Sequence, residues 1–400
     1  LKRNFNLPLK PHLMTPGNRR VLIIGSAWPL RGGGIATFNE RLATAYTAQG
    51  DQVTIFSFSL QYPSFLFPGK SQYTEEPAPD NIDIRVLINS VNPLNWLHAA
   101  RIIRHEKADL IIVRFWIPFM APCLGTIARL VKRHSKTRVV AITDNIVPHE
   151  KRPFDRLLAR YFTGSVDAFV TMSKSVLADL SNFDQVKPRK YYPHPLYDNF
   201  GDPVPKSVAR QKLGLPVEGR LMLFFGFIRD YKGLDLLLEA MAQKQIKELN
   251  AKLLIAGEYY GNQEKYESLI SKLNLSGLIE AHTSFIPNTE VYLYFCACDV
   301  VVQPYRNATQ SGVTQVAYHF GKPMITTNVG GLSEMVQHGK VGFVVEPDVD
   351  EIANAIHTFY HNNLEEEFSK NVVCERERFS WEGLLESISE VVFTENLNKN

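Results

Sequence analysis

Short runs of β-branched and apolar residues alternate with helical patterns along nearly the whole chain, and this alternation constrains the fold more than any other feature. In the first half the strand candidates are RVLIIG (20–25), QVTIFSF (52–58), IDIRVLI (82–88), DLIIVRF (109–115), RVVAIT (138–143) and DAFVTM (167–172). Helical patterns separate several of them, at 35–49, 93–107, 118–134, 154–163 and 175–183. Runs that are apolar on both faces suit strands covered on both sides, as in a parallel sheet. Strand–helix alternation then implies right-handed crossovers and a doubly wound α/β domain.

The alternation pauses at QVKPRKYYPHPLYDNFGDPVPKS (185–207), a proline-rich stretch that reads as a linker. It resumes with LMLFFGF (221–227), KLLIAG (252–257), IEAHTSFI (279–286), DVVVQPY (299–305), PMITT (323–327) and GFVVE (342–346), with helices near 233–249, 263–273, 288–297, 312–320 and 349–361. A last amphipathic helix, WEGLLESISEVVFTENL, closes the chain. The expected organisation is an N-terminal domain over 1–198, a second over 199–379, and a C-terminal helix over 380–400 that packs back on the first. Two doubly wound domains in tandem enclose a cleft. Ligands of such sheets sit beyond the carboxyl ends of the strands, so the loops after strands are where chemistry is sought.

Composition narrows the setting. No apolar run approaches the ~18 residues of a membrane span, and the first twenty residues hold no apolar core of signal-peptide length. Four cysteines in 400 residues do not make a disulfide framework. Cys296 and Cys298, in the apolar run LYFCACDVV, read as buried thiols, and a reducing cytoplasm is the expected home. The net charge of +3 is unevenly divided: residues 1–200 carry 26 Lys and Arg against 15 Asp and Glu, residues 201–400 carry 18 against 26. An N-terminal half at +11 suits an anionic partner, and a solvated basic face is the plainer alternative.

Three loops carry candidate chemistry. In RGGGIATFNERLA, Gly32 to Gly34 end a loop and a helix begins near Ile35. The glycines let backbone amides approach a ligand, and the helix N-terminus presents unpaired donors to an anion. A plain turn would explain this loop equally well on its own. It has neither the GxGxxG spacing of a dinucleotide fold nor the Gly-Lys-Ser/Thr of a Walker loop. In FGFIRDYKGLDLLLEAM, Arg229 and Lys232 stand between a strand and a helix at the corresponding place of the second domain. A guanidinium fork and an ammonium are the usual partners of phosphate oxygens. In ATQSGV, small polar residues and Gly312 open another helix. One anion-suited loop per domain describes a pyrophosphate held between domains.

The segment 303–356 resembles the donor-binding half of family-4 retaining glycosyltransferases of the GT-B fold. It shows Gly321-Lys322-Pro323, Gly330-Gly331, Glu334, Gly339, Gly342 and Pro347-Asp348 in the family's order and spacing. FGFIRDYKG resembles the family's phosphate motif, RGGGIATFNERLA its N-terminal glycine loop, and ITDNIVPHE the first-domain segment whose histidine faces the cleft, here His149. The resemblance covers about residues 20–360. It implies transfer of a sugar from a nucleoside diphosphate sugar with retention. The implied diphosphate contacts are Gly33, Gly34, Arg229, Lys232, Ser311, Gly312 and Val313. Backbone at Gly257, Glu258 and Ile286 would hold the base, and Gln310, Gln315 and Glu334 the sugar and ribose. His149, Arg229 and Lys232 are the implied catalytic residues.

Two departures stand out. The family often carries Glu-x7-Glu in this segment. Counting from Gly321, the second position is Val316, beside Gln315, and the first is Ala308 or Thr309, beside Gln310. The family's phosphate arginine would fall at Phe227, whereas the cation here is Arg229. No Asp-x-Asp offers a metal site, so the expectation is metal-independent transfer, without cofactor, by a front-face route. No nucleic-acid partner is expected. Aromatic and basic segments at 61–73, 95–105 and 114–138 suit a peripheral position on the cytoplasmic face of an anionic membrane, with a glycan or lipid-linked acceptor in cell-surface polysaccharide or glycoconjugate synthesis. An inactive scaffold of the same fold and a sugar-nucleotide epimerase are the alternatives.

Overall fold

A computed structural model describes residues 17–31, 34–63, 71–133, 135–146, 153–261, 263–308 and 311–393. Its strands are β1 (Arg20–Ile24), β2 (Gln52–Leu60), β3 (Asp83–Asn89), β4 (Leu110–Phe115), β5 (Arg138–Thr143), β6 (Ala168–Thr171) and β7 (Arg189–Tyr191), then β8 (Leu221–Phe225), β9 (Lys252–Ala256), β10 (Ile279–His282), β11 (Val300–Gln303), β12 (Met324–Thr327) and β13 (Gly342–Val345). The helices are α1 (Gly34–Ala48), α2 (Pro93–His105), α3 (Ala121–Lys132), α4 (Asp155–Thr163), α5 (Lys174–Leu180), α6 (Lys206–Lys212), α7 (Leu234–Ala242), α8 (Lys244–Lys247), α9 (Gln263–Lys272), α10 (Val291–Ala297), α11 (Gly312–His319), α12 (Leu332–Met335), α13 (Val349–His361), α14 (Glu365–Glu375) and α15 (Trp381–Phe393).

Two parallel sheets result, in the orders β3-β2-β1-β4-β5-β6-β7 and β10-β9-β8-β11-β12-β13. The central strands are buried on both faces: every residue of β4 and nearly every residue of β1 and β5 is covered. Their β-branched side chains feed two apolar layers, which is why these runs read as continuous rather than alternating. In each sheet the strand order reverses once, between β1 and β4 and between β8 and β11. The segments leaving β1, β4, β8 and β11 therefore open into crevices; the described parts of these are residues 25–31, 116–117, 226–229 and 304–308.

The elements differ from the sequence reading in several places, and α6 and α14 are additional to the helices it expects. The helix expected over 233–249 is two helices, because Gln243 is extended (φ −64°, ψ 143°), and the second piece turns to bury Ile246. β7 lies inside the expected linker and pairs with β6, Phe169 opposite Arg189. It is a three-residue edge strand, too short for a periodic signal. The C-terminal helix α15 covers β5–β7 on the α1 side of the first sheet. Trp381 anchors it: the indole donates to Leu196 O at 2.8 Å and its ring lies 5.0 Å from that of Phe38. Cys123, Cys296 and Cys298 are buried free thiols, and Cys374 is exposed.

Candidate active site

The crevices of the two sheets meet in one cavity of about 290 Å³. The first domain contributes Gly34 and Thr37 from the start of α1, the linker contributes Tyr197 and Phe200, and the remaining walls come from the second domain. Tyr197 ties the three together. Its hydroxyl donates to Gly34 O, and its ring packs against Gly312, where a side-chain β-carbon would come within 2.9 Å of the ring edge. Only glycine lets the N-terminus of α11 approach so closely. Ser311, Gly312 and Val313 thus present the start of α11 to the cavity. Gly257 forms the opposite wall at φ +137°, and a β-carbon there would lie 2.5 Å from Gly226 O. Glu258, Phe285, Ile286 and Asn288 continue that wall.

Lys232 lies at the bottom, buried, in a 3-10 turn (Asp230–Lys232) between β8 and α7. Its Nζ is 3.4 Å from Phe225 O and 5.6 Å from the Tyr305 ring centre. Burial, reinforced by the nearby Arg229 charge, pulls its ammonium down to about 7. Among the described residues no carboxylate compensates it, so an anion in the cavity would restore the charge.

Of the residues singled out in the sequence, Gly34, Lys232, Gly257, Glu258, Ile286, Ser311, Gly312 and Val313 line this cavity. Gly33, His149 and Gln310 lie outside the described residues. Three are placed elsewhere. Arg229 does not line the cavity: its guanidinium lies 4.8 Å above the Tyr260 ring, which holds it to one side. Phe227 occupies the lining position instead, its ring tilted by 51° against that of Tyr260 at 4.4 Å. Gln315 is on the buried side of α11, its amide directed at Met335 Sδ at 4.0 Å, while Val316 faces the cavity. Successive helical residues are turned about 100° from each other, which here places Val316 toward the cavity and Gln315 toward the core. Glu334 reaches across to the first domain, where its carboxylate accepts from Lys174 N at 3.2 Å.

Sequence reasoning missed Arg31, Tyr197 and Tyr305. Arg31 pairs with Glu258 at 3.2 Å and lies 5.1 Å above the Phe285 ring, so it spans the mouth of the cavity from the first domain. Its place in the glycine loop was the one available signal. Tyr197 sits in a linker with no periodicity. Behind it, a buried Arg114–Asp144 pair (2.6 Å) stacks on Phe38, and burial together with the Arg114 charge pushes the His194 imidazole down to about 3. His194 is therefore a neutral packing residue that shapes the linker.

The profile of the glycosyl transferases group 1 family matches residues 205–373, and that of glycosyltransferase family 4 matches residues 32–193. The chain belongs to the family-4 glycosyltransferases. The two profiles meet across the cavity, one per sheet. Among curated relatives, a D-inositol 3-phosphate glycosyltransferase of Thermobispora bispora is 31% identical over 37% of this chain and 36% of its own length. The corresponding protein of Stackebrandtia nassauensis is 29% identical over 62% and 59%. The chain thus spans about a third to three-fifths of these relatives. Among solved structures, a sucrose-phosphate synthase from Thermosynechococcus elongatus superposes with a TM-score of 0.71 at 19% identity, over 93% of this chain and 98% of that one. Anabaena HepE in complex with UDP superposes with 0.71 at 17%, over 94% and 100%. These likenesses establish the GT-B fold.

Proposed function

We propose that the cavity holds the diphosphate of a nucleoside diphosphate sugar and that the enzyme transfers the sugar with retention to a glycan or lipid-linked acceptor in polysaccharide or glycoconjugate synthesis. One observation carries this reading: an uncompensated buried lysine shares a cavity with the start of α11, at the place where the switch points of two Rossmann-like sheets face each other. A leaving diphosphate needs preorganised positive charge and amide donors. Lys232 supplies the first, and the amides at the start of α11 and α1 supply the second.

In this reaction the bond from the anomeric carbon to the phosphate oxygen breaks as the acceptor oxygen bonds to the same face of that carbon. The departing phosphate oxygen takes the acceptor proton. Lys232 and the α11 amides stabilise the charge that develops on that oxygen. Val316 stands at the position of the family's ribose carboxylate and Ala308 or Thr309 at that of its sugar carboxylate, so the donor is held chiefly through its diphosphate and base. Among the described residues no group of three His, Cys, Asp or Glu is placed to hold a metal, and transfer is expected to survive chelation.

HepE has been solved with UDP-glucose, and the curated relatives are named for a phosphorylated polyol acceptor. The test therefore begins with a thermal-shift panel of UDP-, GDP- and ADP-sugars, followed by transfer assays to glycan, polyprenyl-phosphate and inositol-phosphate acceptors after dialysis against EDTA. A ligand at 100 times its Kd adds ~2.7 kcal/mol of stability. Stabilisation by one nucleotide with no transfer or hydrolysis would favour the inactive scaffold. An acceptor-free sugar isomer would favour an epimerase. Activity that returns only with Mg²⁺ or Mn²⁺ contradicts metal independence.

A further inference from the structure

The second face of the first sheet is covered by α2, α3 and α4, with α3 in the middle. All three are crossover helices between parallel strands, so their N-termini lie at the same edge as the cavity. Two of them expose apolar side chains at that edge. On α2, Leu94 is 77% and Leu97 54% exposed; at the start of α4, Phe154 is 74% and Leu157 64% exposed. Single exposed apolar residues are ordinary, but a group on one layer marks an interaction surface.

The spacing on α4 is informative. Phe154, the residue before the helix, and Leu157, three positions on, are exposed and flanked by exposed Arg156 and Arg160, whereas the Tyr161 ring packs under the Arg129 guanidinium of α3 at 3.9 Å. On α2 the outward stripe continues from Leu94 and Leu97 into Arg101 and His105. At the far end of α4, a surface cavity of about 390 Å³ is lined by Arg129, Lys132 and Arg133 beside Gly164 and Ser165. Arg129 and Lys132 are partly engaged, Arg129 with Gly125 O at 3.0 Å and Lys132 with Asp167, whereas Arg133 is exposed. α4 is therefore a short amphipathic helix lying along the surface, with apolar residues at one end, arginines on its flank and a cationic cavity at the other end. Such a helix fits the plane between acyl chains and headgroups. α2 and α4 stand on either side of α3, and with helices in a layer ~8–10 Å apart their apolar ends lie about two spacings from each other, a span that one bilayer surface covers.

The geometry points to a docking face for an anionic phospholipid bilayer, formed by the outer sides of α2 and α4, with headgroup phosphates at the Arg129–Arg133 cavity. This deepens the reading of a lipid-linked acceptor by naming how the transferase would reach it. Of the segments noted in the sequence, 95–105 supplies Leu97 and Arg101 and 114–138 supplies Arg129, Lys132 and Arg133, whereas the β4 residues of 114–138 are buried core and residues 64–70 lie outside the described residues; Phe154 and Leu157 add exposed apolar surface that the sequence reading does not single out.

The experiment is flotation of the full chain with vesicles of phosphatidylcholine, with and without phosphatidylglycerol, alongside size-exclusion chromatography and donor binding without vesicles. The wild type should float with phosphatidylglycerol at low salt, stay behind with phosphatidylcholine alone, and be released by high salt. Phe154→Ser/Leu157→Ser and Leu94→Ser/Leu97→Ser should each weaken flotation roughly tenfold. Arg156→Glu/Arg160→Glu should weaken it by roughly fivefold per charge removed. Lys244→Glu/Lys247→Glu, on the second domain, should change nothing. Donor binding should be unaltered in all variants, so a failed donor assay refutes the transferase reading and leaves the docking result to be judged separately. Wild-type protein that ignores anionic vesicles, or surface variants that float as well as wild type, would overturn the proposal. So would a dimer that these substitutions dissociate, because the face would then join two copies of the chain.

Discussion

Lys232 is the residue on which the candidate chemistry turns. Its ammonium is held at about 7 by burial and by Arg229. A bound diphosphate restores the charged form, so binding takes up a proton wherever free Lys232 is neutral. Donor affinity should therefore be highest below pH 7 and fall by up to about tenfold per pH unit above it. Titration calorimetry in buffers of different ionisation enthalpy should detect that proton uptake. Lys232→Met should remove both the pH dependence and at least about tenfold of kcat/KM, since charge-assisted contacts contribute roughly 1.5–3 kcal/mol. Arg229 lies outside the cavity and acts through the field it exerts on Lys232. Arg229→Ala should move the pH dependence upward, because a like charge is removed, with a smaller loss of kcat/KM. A pH-independent affinity in the wild type would contradict this account of the site.

At the scale of elements, the start of α11 is positioned by a ring and a missing side chain. Gly312→Ala places a β-carbon 2.9 Å from the Tyr197 ring edge, and Tyr197 is buried. The helix start must shift, and a displacement near 1 Å can cost up to ~100-fold in rate. We expect kcat to fall by one to two orders of magnitude with little change in melting temperature, measured by steady-state kinetics and calorimetry on the same preparation. Full activity would mean that the α11 amides do not contact the reacting group. The docking of α15 is a separate matter of packing. Trp381 is buried between Phe38, Leu196 O and the Arg41 guanidinium, which lies 5.1 Å from its ring. Trp381→Ala should destabilise the first domain by about 3–5 kcal/mol, seen as an earlier transition in urea. Several family motif residues serve elements in the same way. Asp348 of the Pro347-Asp348 pair caps α13, accepting from Asp350 N at 2.9 Å and Glu351 N at 3.2 Å.

Across the whole molecule, a basic half faces an acidic half. The contacts that cross between the domains include the Arg31–Glu258 pair and the Glu334–Lys174 hydrogen bond. Partly exposed pairs of this kind contribute up to ~1 kcal/mol and are screened by salt. Arg31→Ala should raise the donor KM by up to about fivefold and leave kcat unchanged. Small-angle scattering should show a larger radius of gyration for the free variant than for the wild type, and the wild type should approach it at high salt. Identical scattering and identical KM would show that Arg31 does not hold the domains together. Among the described residues no helix is long and apolar enough to cross a membrane.

Strand and helix positions follow from local periodicity, so the sequence alone determined two doubly wound sheets, their division near the proline-rich linker, and the loops in which Lys232 and Gly312 stand. Which side chains of those loops enter the cavity was a tertiary matter. On α11 neighbouring side chains are turned about 100° from each other, and in this helix it is Val316 that lines the cavity while Gln315 packs on Met335. Two residues of one loop find different partners, Lys232 buried in the site beside Tyr305 and Arg229 lying on Tyr260. Arg31 and Glu258 are 227 positions apart, and Tyr197 has no pattern around it. Their roles arise only when the two sheets face each other, because local periodicity does not encode the contacts between residues so distant in sequence.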